Sequence, residues 1–530
     1  MVPSGWVEQM RQRAVRGSRW LRRGRRRPAS PGAYLARRQR RRILALLGAV
    51  TGLALLVSGG ALYLHRTPRQ PFPGTPSILV LPFQNLSGDP GQDYFADGMT
   101  EEIQGALAET PGLRVIGRTT TFALKGKSLD LREVGRRLGV TAVLEGSVRR
   151  VGARLRVSAQ VLDARDGYQI WSQAFDREPG DVLAVQDEIG GAVARALQVA
   201  LLPAPGAGLA PRSVDPEVYS QYLLARRFLA ASSLDGFVRA AAASERAISR
   251  APSFAPAWAT LAAALGGLAD YAHAPGEIAA NQGKAVAAAA RAIELDPGLA
   301  EAYAARGQLL AQTTWDWESA AEDFERALAL APGDADILRK KGAWLLAPQG
   351  RLVEAIELLR RSTELDPLSA SGWTTLGHLE LAATRGTTGE RSLLRAIEID
   401  PEYDYARQAI GVRLLLAGDP AAALAETNRC APGLWRLRGA ALALHDLGRR
   451  DEASLALSDL TTGYAHPSPF QIAEVYAWRG ESDQAFAWLE RAIEAHDGGM
   501  LLVLWDPLLA RIRGDPRMGG LLARMNLNPG

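Results

Sequence analysis

"RAIELDP", residues 291–297, is the clearest copy of a pattern that recurs through the second half of the chain. The other copies are "RAISRAP" (246–252), "RALALAP" (326–332), "RSTELDP" (361–367) and "RAIEIDP" (395–401). The last four prolines are separated by 35, 35 and 34 residues, whereas 45 residues separate the first two. A fixed period of this length predicts stacked similar units. The longer gap predicts an insertion or a poorly matching unit around "YAHAPGEIAANQG" (271–283).

Small and large side chains recur at matching places between these prolines. One unit has them at Tyr303, Gly307, Leu310, Ala320, Phe324, Ala327 and Pro332, and another at Trp373, Leu376, Gly377, Leu393, Ala396 and Pro401. This pattern resembles the tetratricopeptide repeat, a helix–turn–helix unit of 34 residues. We therefore expect an all-α superhelix of roughly six to eight repeats over 215–530. We expect "WDPLLARIRGDPRM" (505–518) to cap the stack.

The resemblance implies a concave groove that binds an extended peptide or a partner helix. The residues expected to face this groove are Gln308, Gln312, Arg339, Thr374 and His378. A solvated helical face without a ligand is the simpler interpretation of the same side chains. The 35-residue units also allow the register to shift by one residue.

A different pattern covers residues 77–202. Apolar runs of strand length, such as "SILVLPF" (77–83), alternate with segments of helical spacing. Val157, Ala159 and Val161 alternate with polar neighbours, as in a strand that is buried on one face. The order of the segments predicts an α/β domain, β-α-β-α-β-β-β-α, with helices packed on a sheet. Residues 203–214 are expected to link it to the repeats.

Three parts of this region resemble the TolB amino-terminal-like domain. They are "SILVLPFQNLSGDPGQDYFADGMTEEI" (77–103), "ALKGKSLDLREVGRRLGVTAVLEGSVRR" (123–150) and "LDARDGYQIWSQAFDRE" (162–178). The resemblance implies a non-catalytic envelope domain that binds other proteins. Related chains often carry a DNA-binding, kinase or cyclase module at the cytoplasmic end. Here an arginine-rich tail lies in that position.

The stretch "LPFQNLSGDPGQDYFADGMTEEI" (81–103) is rich in acidic residues and glycines, so it could hold a metal ion or a phosphate group. An EF-hand loop that starts at Asp89 fails at Gly91, where an oxygen ligand is required, and at Thr100, where glutamate is required. A phosphate loop further along needs glycine where Thr121 occurs. Neither ligand site is therefore expected.

The remaining interpretation of this stretch is a joint between a strand and a helix. Asp97 is expected to cap the helix by accepting backbone N–H bonds. Glu101 and Glu102 would then lie in the first turn, where the helix dipole favours negative charge.

Residues 43–64 are 22 consecutive residues without a charge, which is enough for one helical crossing of a bilayer. The preceding tail, residues 1–42, has 14 arginines and a net charge of +13, which leaves −8 for the remainder. The sequence "RRQRRR" (37–42) directly precedes the segment, and only His65, Arg66 and Arg69 follow it, which places the amino terminus in the cytoplasm. After a proline-rich linker, 65–76, the other domains would be periplasmic. A cleaved signal peptide is the alternative, but its apolar region is normally shorter.

The arginine-rich tail has three interpretations. The simplest is a disordered topology signal. Trp6, Met10 and Leu21 fall near helical spacing, so the tail could also lie on an anionic lipid surface. Nucleic acid is the least expected partner, because the sequence pI of 9.4 belongs to the tail while the rest of the chain is mildly acidic.

The residues contain no recognisable catalytic or metal-binding motif. None of the six histidines belongs to an H-E-x-x-H pair, and no G-x-S-x-G sequence is present. Cys430 is the single cysteine, which excludes an intrachain disulfide and a multi-cysteine metal site. A carboxylate-based hydrolase is the weakest alternative. We therefore predict a protein that is not an enzyme and uses no cofactor or metal.

Together these patterns predict a single-pass protein of the bacterial inner membrane. Its periplasmic part would act as an adaptor that binds a protein or peptide in the repeat groove. The alternative is a signalling component, which would transmit a periplasmic event through the membrane helix to the basic tail.

Overall fold

The computed structural model describes residues 76–127, 129–151, 154–197, 214–269, 271, 275–384, 388–466 and 468–527. The predicted tail, the predicted span at 43–64 and nearly all of both linkers lie outside these residues. No helix within the described ranges has the length and apolar composition needed to cross a membrane. The described residues belong to one compact unit that contains both the sheet and the repeats.

One sheet organises the amino-terminal part of this unit. Its strands are β1 (Ser77–Val80), β2 (Gln84–Asn85), β3 (Arg114–Val115), β4 (Ala142–Val151), β5 (Arg154–Asp163) and β6 (Gln169–Arg177). The strand order is β3-β1-β4-β5-β6, and β2 pairs with β4 outside this path. Strand β1 is parallel to β3 and β4, whereas β4, β5 and β6 form an antiparallel meander.

Helices cover both faces of the parallel part of the sheet. They are α1 (Asp93–Ala108), α2 (Arg118–Ala123), α3 (Leu131–Leu138) and α4 (Val182–Ala196). One core contains apolar residues of α1, α4 and the sheet, and a smaller core lies between α3 and the opposite face. The element order agrees with the predicted order, with strand β2 and helix α2 as additions.

The predicted cap of helix α1 is wrong. The helix begins at Asp93, one turn earlier than expected, because Tyr94 and Phe95 already pack into the core. Asp97 therefore lies inside the helix, where its carboxylate pairs with the ammonium of Lys125. Asp89 is the capping residue nearby, and it accepts a 2.8 Å bond from the amide of Gly91 in a short 3-10 turn.

The same shift moves two glutamates. Glu101 and Glu102 lie in the middle of α1 rather than in its first turn. They consequently face the helical repeats instead of the positive end of the helix dipole.

The remainder of the described chain is helical. Successive helices are α5 (Pro216–Leu229), α6 (Leu234–Arg250), α7 (Ala255–Ala269), α8 (Pro275–Leu295), α9 (Ala300–Thr313), α10 (Trp317–Leu330), α11 (Ala335–Lys340), α12 (Leu352–Leu365), α13 (Ala370–Ala383), α14 (Glu390–Ile399), α15 (Asp404–Leu416), α16 (Pro420–Thr427), α17 (Leu434–Asp446), α18 (Arg450–Tyr464), α19 (Pro469–Arg479) and α20 (Ser482–Glu494). Consecutive helices pack as pairs, so the described residues contain eight repeats, numbered 1–8 from α5–α6 to α19–α20. The all-α repeat array is therefore present.

Two irregularities explain the uneven sequence spacing. Helix α8 has 21 residues, which accommodates the extra length before Pro297 without a further helix pair among the described residues. Helix α11 continues into a π-helical segment, Lys341–Leu346, within a 35-residue unit.

The C-terminal segment, defined here as residues 496–527, follows repeat 8. It contains two 3-10 turns, Gly498–Leu502 and Pro507–Leu509, and helix α21 (Pro516–Arg524). Its apolar side chains belong to one continuous core that starts at Ala311 in repeat 3 and ends at Leu527. The segment thus packs against repeats that are distant in sequence.

Gly377 lies where α13 and α14 approach each other closely, and glycine should be required there for stability. A Cβ atom at Gly377 would lie 2.7 Å from Cγ of Leu393 and 3.1 Å from the carbonyl oxygen of Gly389. We expect Gly377→Ala to lower the free energy of unfolding by about 1–3 kcal/mol, as overpacking does. Urea denaturation followed by circular dichroism measures the change.

Gly283→Ala is the matched control. Nothing lies within 4 Å of a Cβ at Gly283, which is exposed in α8. We expect this variant to gain about 0.5–1 kcal/mol from helix propensity. Equal gains in the two variants would show that the helix approach at Gly377 imposes no constraint.

Candidate functional site on the inner face of the repeats

The first helix of repeat 1 packs into the core of the α/β domain. Tyr219, Tyr222 and Leu223 of α5 are buried with the apolar residues of α1 and the sheet. The rings of Tyr219 and Phe95 meet edge to face at 5.9 Å. A Cβ at Gly98 would lie 2.5 Å from Cδ2 of Leu223, so the two helices are as close as glycine permits. The α/β domain and the repeats therefore form a single packed body.

A charged network borders this apolar contact. The guanidinium of Arg226 lies 3.1 Å from Oε2 of Glu101 and 2.9 Å from Oε2 of Glu301 in repeat 3. Arg118 adds a second cation at 2.7 Å from Oε1 of Glu101. Burial opposes ionisation, but Arg226 and Arg118 hold the pKa of Glu101 below its usual value. Glu101 is therefore an anion shared by two arginines.

Glu102 has the opposite character. It accepts a 2.7 Å hydrogen bond from the hydroxyl of Tyr222, and Arg226 is 3.5 Å away. Burial raises the pKa of Glu102 to about 7, and the cation of Arg226 offsets part of this rise. Glu102 therefore changes charge in the neutral range, at the contact between the α/β domain and repeat 1.

Helix α2 is capped by a residue of the repeats. The carboxylate of Asp366, at the end of repeat 4, accepts bonds from the amides of Thr119 (3.2 Å) and Thr120 (2.7 Å) and from the Thr120 hydroxyl (2.7 Å). In return, Oγ1 of Thr120 accepts a 2.9 Å bond from the amide of Leu368. The amide of Gly117 also donates to the carbonyl oxygen of Leu365 at 2.7 Å.

The equivalent aspartates of other repeats make local bonds. Asp296 accepts a 3.0 Å bond from the amide of Gly298, and Asp400 accepts one of 3.0 Å from the amide of Glu402. Both bonds stabilise the turn that follows the repeat. Asp366 instead joins the repeats to the α/β domain, although the three residues occupy the same place in the repeat pattern.

A cavity of about 360 Å³ lies between the α/β domain and the first helices of repeats 1–5. Charged side chains of its wall are bonded to one another. Asp336 lies 2.6 Å from Arg339 and 2.9 Å from Lys340. These ion pairs reduce the capacity of Arg339 and Lys340 to bind a further anion.

A second polar group lines the inner channel, defined here by His378, Tyr405, Gln408, Trp435, Arg438 and Glu474. These residues come from the first helices of repeats 5–8, namely α13, α15, α17 and α19. The guanidinium of Arg438 makes two bonds to the Glu474 carboxylate, at 2.6 and 2.7 Å. It also donates to the side-chain oxygen of Gln408.

His378 ends this polar chain. Its Nε2 lies 3.2 Å from Nε2 of Gln408, and its ring meets that of Tyr405 edge to face at 4.8 Å. Burial, together with the charge of Arg438, lowers the pKa of His378 to about 3. The imidazole is therefore neutral at physiological pH and acts as a hydrogen-bonding group.

The C-terminal segment occupies the inner channel. Leu502, Trp505, Asp506 and Pro507 close the channel and leave a cavity of about 50 Å³. Further along, the indole N–H of Trp317 donates to the carbonyl oxygen of Met525 at 2.8 Å. The segment also packs on repeat 8, where Arg517 pairs with Asp483 at 2.8 Å, as expected of a cap. Beyond that expectation, it reaches repeat 3 at Trp315 and Trp317, in the turn between α9 and α10 and at the start of α10.

The five predicted groove residues do not converge on one surface. Arg339 lines the interdomain cavity, and His378 lies in the inner channel. Thr374 is fully buried, and its hydroxyl donates to the carbonyl oxygen of Ala370 at 2.8 Å. Gln308 and Gln312 bond to each other at 3.2 Å on α9. Contact of these residues with a ligand stays a prediction.

Sequence reasoning missed Gln408, Arg438 and Glu474. Each lies three residues before the small residue at which the first helix approaches the second, namely Gly411, Ala441 and Ala477. Arg339 and Thr374 hold the same position relative to Gly342 and Gly377. Extending that rule into repeats 6–8 would have found all three, because Pro401, Pro432 and Pro467 precede the first helices of these repeats.

The chain shares one region with a larger curated protein. No family model matches the chain. A stretch of 173 residues is 46% identical to "Putative adenylate cyclase 3" of Rhizobium meliloti (strain 1021) and corresponds to 32% of this chain and 30% of that protein. The chain thus matches less than a third of the length of this relative.

Solved structures of helical-repeat proteins are similar to parts of the chain. PilF of Pseudomonas aeruginosa is 20% identical and matches 41% of this chain and 94% of its own, with a TM-score of 0.33. A tetratricopeptide repeat protein of Parabacteroides merdae is 14% identical and matches 51% of this chain and 100% of its own, with a TM-score of 0.36. Yeast Tom70 is 16% identical and matches 60% of this chain and 70% of its own, with a TM-score of 0.37. These TM-scores are low, so the tetratricopeptide-like architecture rests on the chain's own helix pairs and motif positions.

Removal of the Asp366 carboxylate should loosen helix α2. Asp366→Ala leaves the amides of Thr119 and Thr120 without their acceptor, which we expect to cost about 1–3 kcal/mol in local stability. Hydrogen exchange followed by mass spectrometry should show faster exchange of α2. Asp400→Ala is the control, because its bond is exposed and local. Unchanged exchange of α2 in Asp366→Ala would contradict the proposed cap.

The charge of Glu102 should make stability depend on pH. The folded protein retains a proton that the unfolded chain releases between about pH 4.5 and 7, so this contribution to stability is present at low pH and is lost as the pH rises towards 7. We expect Glu102→Gln to raise the free energy of unfolding at pH 7.5 by at most about 3 kcal/mol and to leave it unchanged at pH 4.5. Arg226, Glu101 and Glu301 surround the group and modulate this value.

Urea denaturation at both pH values measures this difference. Glu402→Gln, at an exposed turn, is the control and should have little effect at either pH. A Glu102→Gln gain of the same size at pH 4.5 and 7.5 would contradict the assignment.

Proposed function

We propose that the protein is a non-enzymatic scaffold that binds other proteins. The observation that carries this proposal is that the inner face of the repeats already recognises polypeptide. It holds the α/β domain through α5 and Asp366, and it holds the C-terminal segment in the inner channel. The charged groups of both contacts are engaged in structural pairs, which favours recognition over chemistry.

We also propose that residues 43–64 anchor the chain in the bacterial inner membrane. Support comes from the 22 uncharged residues and from the arginine excess on their amino-terminal side. In this arrangement the TolB-like domain and the repeats are periplasmic, and the tail is cytoplasmic. The tail contacts anionic lipid rather than nucleic acid.

A signalling role is the second candidate. One observation favours it. Part of this chain is 46% identical to a stretch that forms 30% of a protein named as an adenylate cyclase. The same kind of region therefore occurs in a larger protein whose name indicates second-messenger chemistry. In this chain the output would pass through the membrane helix to the arginine-rich tail.

Topology reporters test the anchoring. Alkaline phosphatase and green fluorescent protein are fused in turn after residues 30 and 210. We expect fluorescence without phosphatase activity at 30 and the reverse at 210, because only the periplasm supports phosphatase folding and only the cytoplasm supports fluorescence of this reporter. A fluorescent fusion at 210 would exclude the periplasmic assignment.

Deletion of residues 1–36 separates the two functional candidates. The arginines at 37–42 remain, so membrane insertion should be preserved. A scaffold should still capture its partner and produce an unchanged cellular output. Loss of output with partner capture intact would favour signalling over the scaffold.

A further inference from the structure

The inner channel is more polar than the stacking of repeats requires. Arg438 and Glu474 are almost completely buried, as is Gln408. Burying an ion pair costs several kcal/mol in desolvation and is offset only when every group has partners. Hydrophobic side chains at these positions would pack the same helices at lower cost. The network therefore suits recognition of a polar group that enters the channel.

The C-terminal segment brings such a group. Asp506 is buried and lines the channel together with Arg438 and Glu474. Its Oδ1 also accepts a 2.7 Å bond from the amide of Leu508. Next to it, Trp505 and Pro507 line the channel, and Leu508 and Leu509 are fully buried. The channel thus holds a carboxyl group flanked by an aromatic and by aliphatic side chains.

The fit of this segment to the channel is incomplete. A cavity of about 50 Å³ remains beside it. The indole N–H of Trp505 is buried and has no hydrogen-bond partner among the described residues. A segment that is covalently attached can occupy its site at high effective concentration without close complementarity. A separate ligand would have to fill the cavity to compete.

The attachment of the segment to repeat 3 is strained. Among the described residues four non-glycine residues have positive φ, and three of them are Trp315, His496 and Asn526, at 50°, 50° and 53°. The rings of Trp315 and His496 stack at 5.3 Å, and the side chain of Asn526 donates to the carbonyl oxygen of Trp315 at 3.3 Å. Such conformations cost of order 1–3 kcal/mol each and cluster at clamps and switches. Each of the three residues directly follows the C-cap of a helix, where a left-handed residue commonly ends the helix.

We propose that the inner channel of repeats 5–8 is a peptide-binding site whose resident occupant is the chain's own C-terminal segment. The external ligand is a protein segment of the same chemistry, an aspartate that follows an aromatic residue and precedes proline or aliphatic residues. This inference rests on the proposed scaffold function and names the surface at which that function is exercised. Binding of the partner displaces residues 498–509.

The test compares two variants of the full-length chain in detergent. Asp506→Asn removes the carboxylate from the channel, while Asp515→Asn removes one from an equivalent position. Both aspartates precede a proline and cap a short helix, through Leu508 and Arg517 respectively, but Asp515 lies outside the channel. Because asparagine can still accept the capping bond, the variants differ in the channel contact and not in local capping.

The probe is a fluorescent peptide of residues 498–512 with a lysine-rich solubility tag. We expect fluorescence anisotropy to show at least tenfold tighter binding to Asp506→Asn than to the wild type or Asp515→Asn, because the resident segment is weakened only in the first. Replacing the peptide's own aspartate with asparagine should reduce its binding at least tenfold. Hydrogen exchange should show α15, α17 and α19 protected by the peptide.

Three outcomes would overturn the inference. Equal affinity of the peptide for all three chains is the first. The second is faster hydrogen exchange of residues 498–509 in Asp506→Asn without peptide binding, which would make the segment a structural cap. The third is concentration-dependent dimerisation of Asp506→Asn by exchange of the segment, measured by light scattering, which would assign the channel to a second copy.

Failure of the scaffold function is distinguishable. A purified partner that binds the wild type and Asp506→Asn equally would leave the scaffold intact and exclude this channel. If the peptide binds as expected but the chain captures no protein partner, the peptide site in the channel is supported and the scaffold function is not.

Discussion

Helix α5 belongs to two hydrophobic cores at once, and the arrangement of the rest of the molecule depends on this. One face packs on α6 as the first half of a repeat, and Tyr219, Tyr222 and Leu223 complete the core of the α/β domain. A helix shared in this way cannot rotate without opening both cores. The α/β domain is consequently held over the inner face of repeats 1–4, and Asp366 is brought to the end of helix α2.

The inner face is covered by the chain itself over most of its described length. The α/β domain lies over its first half, with a cavity between them, and the C-terminal segment partly occupies the channel of its second half. In the proposed scaffold, a partner would bind this occupied face by exchange rather than by simple addition, so its affinity would be reduced by the stability of the resident contact.

Both contacts use one structural rule of the repeats. The residue three positions before the close helix approach faces inward, and it is Arg339 in repeat 4, Arg438 in repeat 7 and Glu474 in repeat 8. Polar residues at this position would be solvated in an open superhelix. Here Arg438 and Glu474 are buried in the inner channel, whereas Arg339 is partly exposed, and all three form ion pairs with neighbouring groups.

The sequence by itself determined the repeat register from Pro297 to Pro401, the strands β4–β6 and the division into an α/β part and a helical part. Those features depend on local periodicity, which one segment carries without its neighbours. Only the tertiary structure decided that Asp366 caps helix α2 and that α5 completes the core of the α/β domain. It also decided that Asp506 enters a channel formed by α13, α15, α17 and α19. These contacts join residues between about 30 and 250 positions apart, and side chains of the same type at Asp296 and Asp400 make local bonds instead. The partners of these residues depend on how the α/β domain and the C-terminal segment pack on the repeats. The spacing of residues within a single repeat does not determine this packing.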